Sequence, residues 1–188
     1  MAGAEFKVDV DLTHAQGLFV QLRERCTNLK PLMAEIGSEL EDSTRRRINA
    51  GGPAPDGTPW AQLAPLTRAM KRTDKPLIER GDLLNSVRFE ADAQSVSIIA
   101  GPSDYAHVHQ FGSKPYVILP KKGKALSFGP RMSLIGGKSR GKEVGSLTRR
   151  KVNHPGVPAR PFLGVSTADQ ATIIEAAQDY LDKAVKGG

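Results

Sequence analysis

Two histidines, His107 and His109, stand two residues apart in the stretch YAHVHQFG, from Tyr105 to Gly112. On a strand both side chains would point the same way and could chelate one metal ion. On a helix the same spacing sends them to well-separated faces. Ser103 or Asp104 supplies a helix cap and Gly112 a stop, so the stretch predicts a short helix. A third ligand is also missing nearby. His14 and His154 are far off in sequence, and Cys26 is the single cysteine, so no cysteine pair exists to complete a zinc set. The expectation is no metal, and a helix whose histidine, tyrosine and phenylalanine rings pack at its two ends.

Other catalytic signals fail in the same way. The GVS at Gly164 lacks the G-x-S-x-G elbow that exposes a serine nucleophile. The GGKS at Gly136 echoes the end of a phosphate-binding loop, without the first glycine or the apolar strand that should precede it. Carboxylates such as those of ELED follow one another around a solvated helix face. No acid–base pair is signposted, so the reading is a protein without enzymatic activity or cofactor.

Charge is the strongest physical signal. The chain has 188 residues and a formal net charge of +7. Between Gly112 and Arg160 there are twelve lysines and arginines against a single acid, Glu143. This stretch is therefore +11 and the remainder −4. Such asymmetry suits a polyanion or an acidic protein surface. The candidates for contact with a DNA channel or a neighbouring ring are Lys121, Lys122, Lys124, Arg131, Lys138, Arg140, Lys142, Arg149, Arg150 and Lys151. Phosphate contacts need only such cations and carry no sequence information. With only Tyr116 and Phe128 flanking them, stacking of single-stranded bases is not expected.

The elements around these residues follow from periodicity. Apolar residues from Leu12 through Phe19, Cys26, Met33 and Ile36 to Leu40 recur at alternating steps of three and four, a heptad seam. Pro31 would cost a continuous helix ~3 kcal/mol. Two helices, 12–28 and 31–49, are therefore predicted, capped by Thr13 and Asn28, with the seam facing the core or an oligomer partner. A loop with Trp60 pinned to the body follows, and then a short helix in LTRAMKR. FKVDVD and residues 86–92, 95–100, 116–120, 125–128 and 149–153 predict strands. The two apolar runs around Lys121–Lys124 predict a basic hairpin with its tip at those lysines. Residues 129–151, rich in Gly, Ser, Lys and Arg, read as a flexible loop or insertion. From Ser166 a capped helix is predicted to about Lys183, with Ala171, Ile174, Ala177 or Gln178, Leu181 and Val185 on its apolar side. The fold class is α+β in a single domain, 1–188: long N-terminal helices and a C-terminal helix on a small antiparallel sheet. The start, MAGAEFKVDV, does not read as a signal peptide. No segment approaches the roughly 18–20 apolar residues of a membrane span, so no membrane is expected.

Four features recur in order: IGSELEDSTRRRINAGGPAPDGTPWAQLAPLTRAMK, LIERGDLLNSV, YAHVHQFG and VPARPFLGVS before a closing helix. In this the chain resembles the phage virion morphogenesis family, the tail completion proteins of P2-like and Mu-like phages. ILPKKGKALSF and KVNHPGVPARPFL also look like the minor tail components of long-tailed phages. The resemblance spans about Ile36 to Leu181. It implies a structural protein, made in the bacterial host cytoplasm and added late to the virion. There it would complete the tail or neck so that head and tail can join. It also implies self-assembly into a closed ring, commonly six-fold, around the DNA path. The neighbours would be tail-tube, tail-terminator or head–tail connector proteins, with non-specific contact to packaged DNA. The alternatives are a head-completion or connector protein on the portal side, or a stand-alone DNA-binding protein. On this reading YAHVHQFG is a structural joint. Tyr105, Val108 and Phe111 share one helix side, Gly112 reverses the backbone, and Phe162 and Leu163 rest on the core. Trp60 pins the loop before it, and Arg160, between two prolines, makes a fixed ion pair.

Overall fold

The computed structural model describes residues 13–101, 103–121, 125–128 and 147–186. The predicted FKVDVD strand lies outside them, as do Lys122, Lys124, Arg131, Lys138, Arg140 and Lys142. The architecture is α+β. Its helices are α1 (Thr13–Thr27), α2 (Lys30–Ala50), α3 (Pro65–Met70), α4 (Asp82–Ser86), α5 (Ser103–Phe111) and α6 (Thr167–Lys186). Its strands are β1 (Arg88–Ala91), β2 (Val96–Ile99), β3 (Tyr116–Ile118), β4 (Leu126–Phe128), β5 (Leu147–Arg149) and β6 (Val152–His154). They form three antiparallel pairs, β1–β2, β3–β6 and β4–β5, where the sequence reading has one small sheet. The backbone groups into two compact units. The first contains Met1–Asp42, Arg88–Ile99 and Ser166–Gly188, the second Ser43–Val87 and Ala100–Val165.

The first unit is built on helix packing. Pro31 sits in the first turn of α2, where its missing N–H removes no intrahelical bond. Asn28 acts through its carbonyl, which accepts the Tyr180 hydroxyl at 2.8 Å, rather than as a side-chain cap. Leu32 and Ile36 of α2 and Ala176 and Tyr180 of α6 form the buried cluster, with Leu29, Leu40, Val96, Ile173 and Ala177 around it. Gly37 leaves room for the Phe89 ring, which any side chain there would strike.

The expected seam is only partly buried. Phe19 is 71% exposed and Cys26 is exposed, whereas Leu29, Ile36 and Leu40 of the same seam pack into the α2–α6 cluster, with Leu32 there in place of Met33. The inward face of α6 is also displaced by one position. It is Ile173, Ala176, Ala177 and Tyr180, while Ile174 and Leu181 are largely solvent-facing. The cap of α6 is as expected at Ser166. Its hydroxyl accepts the Asp169 N–H and the Asp169 carboxylate accepts the Ser166 N–H at 2.7 Å, a reciprocal box. The β1–β2 hairpin turns on Asp92, whose carboxylate accepts the N–H groups of Gln94 and Ser95. These bonds hold its carboxyl below the usual range.

Candidate interface: a basic ribbon and the cleft at its base

The second unit carries the residues singled out by charge. Its central feature is a two-stranded ribbon. Ser113 bridges Val157, and β3 pairs with β6 in the same diagonal register, Tyr116 opposite His154 and Ile118 opposite Val152. Further out β4 pairs with β5, Leu126 opposite Arg149 and Phe128 opposite Leu147. This corrects the predicted hairpin: β3 pairs with β6 and β4 with β5, so β3 and β4 are not partners. The apolar runs at 116–120 and 125–128 flank a turn-like KKGK that imitates a hairpin, yet each pairs with a different strand from later in the chain. Of the predicted basic contacts, Lys121, Arg149, Arg150 and Lys151 are exposed on it. Tyr116 and Val117, about half exposed, and Leu119, 60% exposed, add apolar surface. Tyr116 stacks on His154 with ring centroids 4.7 Å apart.

The ribbon is rooted in the segment 157–164, which is stitched down by hydrogen bonds from several directions. Gly112 holds φ +76°, and a Cβ there would come within 2.8 Å of the Val157 carbonyl, so the joint requires glycine. Ser113 N–H donates to the Val157 carbonyl at 2.8 Å, and Arg160 N–H donates to His109 O at 2.8 Å. Gln110, which sequence reasoning passed over, makes three bonds. Its Oε1 accepts from Phe162 N–H and Leu163 N–H, and its Nε2 donates to Leu163 O, each at 3.0 Å. Nη1 of Arg47 donates to Phe162 O at 2.7 Å, and Nε1 of Trp60 donates to Pro161 O at 2.9 Å. Between these clamps Phe162 is fully buried.

Trp60 and Phe162 are buried, whereas Phe111 is not. It is 69% exposed and Tyr105 is 43% exposed, while Ala106 makes the buried contact of α5. The rings of α5 pair along the helix instead: Tyr105 with His109 edge-on at 4.5 Å, and His107 with Phe111 at 4.9 Å. These are i, i+4 neighbours. The two histidines occupy different sides of the helix. Among the described residues no three His, Cys, Asp or Glu side chains come together in a metal-binding group.

Arg160 is also corrected. It is 5% exposed, but carbonyl oxygens hold its guanidinium rather than a carboxylate. Nε donates to Ala61 O at 2.9 Å and Nη2 to Gln62 O at 3.1 Å. The planar fork has five N–H donors, so these bonds do not exhaust it. Arg160 lines a cleft of about 640 Å³ with Lys71, His109, His154 and, as the one acid among the described lining residues, Glu79. Leu63, Leu77, Tyr105 and Val157 supply apolar wall. Burial pushes the Lys71 ammonium down, with Glu79 opposing and Arg160 adding to the shift. Burial, then Arg160 and Lys71, push the His109 imidazole down, and its Nδ1 is buried without a hydrogen-bond partner. Burial, followed by the charges of Asp82 and Glu79, raises the Tyr105 phenol. Arg160 and Lys71 thus share a half-buried site with Glu79 as the acid among its described lining residues.

The model of the phage virion morphogenesis family matches residues 10–182. The chain belongs to that family. It is also 26% identical over 183 residues to Mu-like prophage FluMu G protein 2 of Haemophilus influenzae, covering 95% of this chain and 99% of the relative. No solved structure matches it significantly. Membership gives the protein a part in building the phage particle and favours a structural over a catalytic role. No helix among the described residues is long and apolar enough to cross a membrane.

Proposed function

We propose that this protein completes the phage tail or neck, as one subunit of a closed ring around the DNA path, and so enables heads and tails to join. The observation that carries the reading is the family match along nearly the whole chain. Charge supports the ring. The first unit has seven lysines and arginines against 14 acids, a formal −7, and the second 20 against six, a formal +14. Unlike surfaces on one subunit are what head-to-tail association requires, and the contact closes into a ring when the rotation allows. The partners above and below would be tail-tube, tail-terminator or connector proteins. They meet a ribbon that carries cations and exposed apolar side chains together. Any DNA contact is to phosphates, through the exposed Lys121, Arg149, Arg150 and Lys151.

The test is a phage lysate made without this protein. Filled heads and finished, unjoined tails are expected, with joining restored by adding the purified chain. Intact infectious virions in its absence would reject the proposal. Unjoined particles whose defect lies on the head side would favour the portal-side alternative. Salt-sensitive duplex binding by the isolated chain, with normal particles, would favour a stand-alone DNA-binding protein.

A further inference from the structure

We infer that the cleft lined by Arg160, Lys71 and His154 receives carboxylates, and that its occupant is the outward face of α6 from a second copy of the chain. This rests on the ring reading above and names the two surfaces that meet. The cleft has the volume of a site for a few side chains. Its chemistry is double: apolar wall from Leu63, Leu77 and Val157, with cations set into it. Arg160 is the informative member. A nearly buried guanidinium whose only bonds are to two carbonyls keeps donors directed elsewhere, and the fork matches a carboxylate best. Among the described lining residues Glu79 is the one acid, against Lys71 and Arg160.

The complementary surface lies in the first unit. α6 turns Ile173, Ala176 and Tyr180 inward, and two of its large apolar side chains lie outside that face. Ile174 is 59% and Leu181 41% exposed, and the acids Glu175 and Asp179 stand exposed beside them. Apolar and acidic stripes one residue apart match a cleft that is apolar and basic. The −7 of the first unit and the +14 of the second orient the approach. Because donor and receiver are different patches, the contact propagates from copy to copy.

The experiment has two arms, both on the full chain. In the first, Lys71→Glu and, separately, Glu175→Lys with Asp179→Lys are compared with wild type by sedimentation equilibrium. Each reversal should weaken self-association about tenfold or more, and an equimolar mixture of the two should recover association between unlike variants. In the second, a photo-crosslinking amino acid replaces the exposed Thr67 on the cleft wall. A mixture of light and isotope-labelled chains then shows whether the captured peptide comes from another copy. Intermolecular capture of residues 167–183 is expected. This arm stands even if the Lys71 variant fails to fold. Capture within one chain, or of another segment, overturns the inference. So does an oligomer indifferent to both reversals, which would leave the ring itself intact. A chain that stays monomeric and gives no intermolecular capture even within assembled particles overturns both.

Discussion

The two units of this chain are held together by different physics. In the first, helix faces meet through Leu32, Ile36, Ala176 and Tyr180, and polar groups act mainly at helix ends. In the second, an irregular segment with few apolar anchors is fixed by side chains bonding to its backbone: Gln110, Arg47, Trp60 and Arg160. The first is acidic and the second basic. A packed helix face is robust and tolerant, whereas a clamped loop depends on single groups whose loss leaves backbone polar atoms buried and unpaired. The unit carrying the candidate interface is therefore the one with the more brittle support.

The hardest way to break that contrast is Phe162→Ala. The ring is fully buried, and its removal should cost about 3–5 kcal/mol in the second unit. Trp60 is the only tryptophan and its indole bonds to Pro161, so its fluorescence reports the second unit alone. The fluorescence midpoint in urea should fall sharply. Hydrogen exchange in peptides of α6 and of α2 before Asp42 should change little. Equal loss of protection in both regions would mean that the units unfold as one, and the contrast would not describe their energetics.

Gln110→Ala should come next. It removes three hydrogen bonds and strips the Phe162 and Leu163 N–H groups of their acceptor. Unpaired buried groups cost about 1–3 kcal/mol each, and water reaching the gap would recover part of that. A loss of about 2–3 kcal/mol, with faster amide exchange at 162 and 163, is expected. Gln110→Glu should retain the acceptor bonds and lose less. If both variants behave alike, the acceptor role assigned to Oε1 is wrong.

What the sequence made legible follows the same division. The helices α1, α2 and α6 emerged because apolar spacing at three and four is a local pattern, and Pro31 and Ser166 mark their starts with residues whose chemistry admits few other uses. The inward face of α6 was misjudged because Ile174 and Ile173 are adjacent and equally apolar. Periodicity counts both stripes, and only packing chooses between them. The ribbon was half legible. Its strands are near the predicted places, but pairing across 33 intervening residues for β3–β6 and 18 for β4–β5 leaves no local mark, whereas the short KKGK connection imitates a hairpin turn. Gln110 was invisible for a different reason: a glutamine on a short helix is usually a solvated side chain, and nothing local says that a backbone segment 52 residues on will meet it. Arg160 was noticed for its flanking prolines, which do restrict it, but the carbonyls of Ala61 and Gln62 that receive it come from a separate loop.

The gentlest perturbation is pH, and it again separates the units. Burial, Arg160 and Lys71 all push the His109 imidazole below its ordinary value, and no carboxylate offsets them. In the unfolded chain His109 takes up a proton near pH 6.5, while in the folded chain it resists until the pH is lower. Between those two values the unfolded state binds more protons, so stability rises with pH there. Above the unfolded value both states are neutral and the contribution is flat. Cooling the pH from 7.5 toward 5.5 at fixed salt should therefore lower the Trp60-detected midpoint of the second unit. His109→Phe, which keeps a ring beside Tyr105 without a titrating nitrogen, should flatten that slope. A wild-type midpoint that holds or rises through this window would place a proton acceptor beside His109 and contradict the cationic character of the cleft.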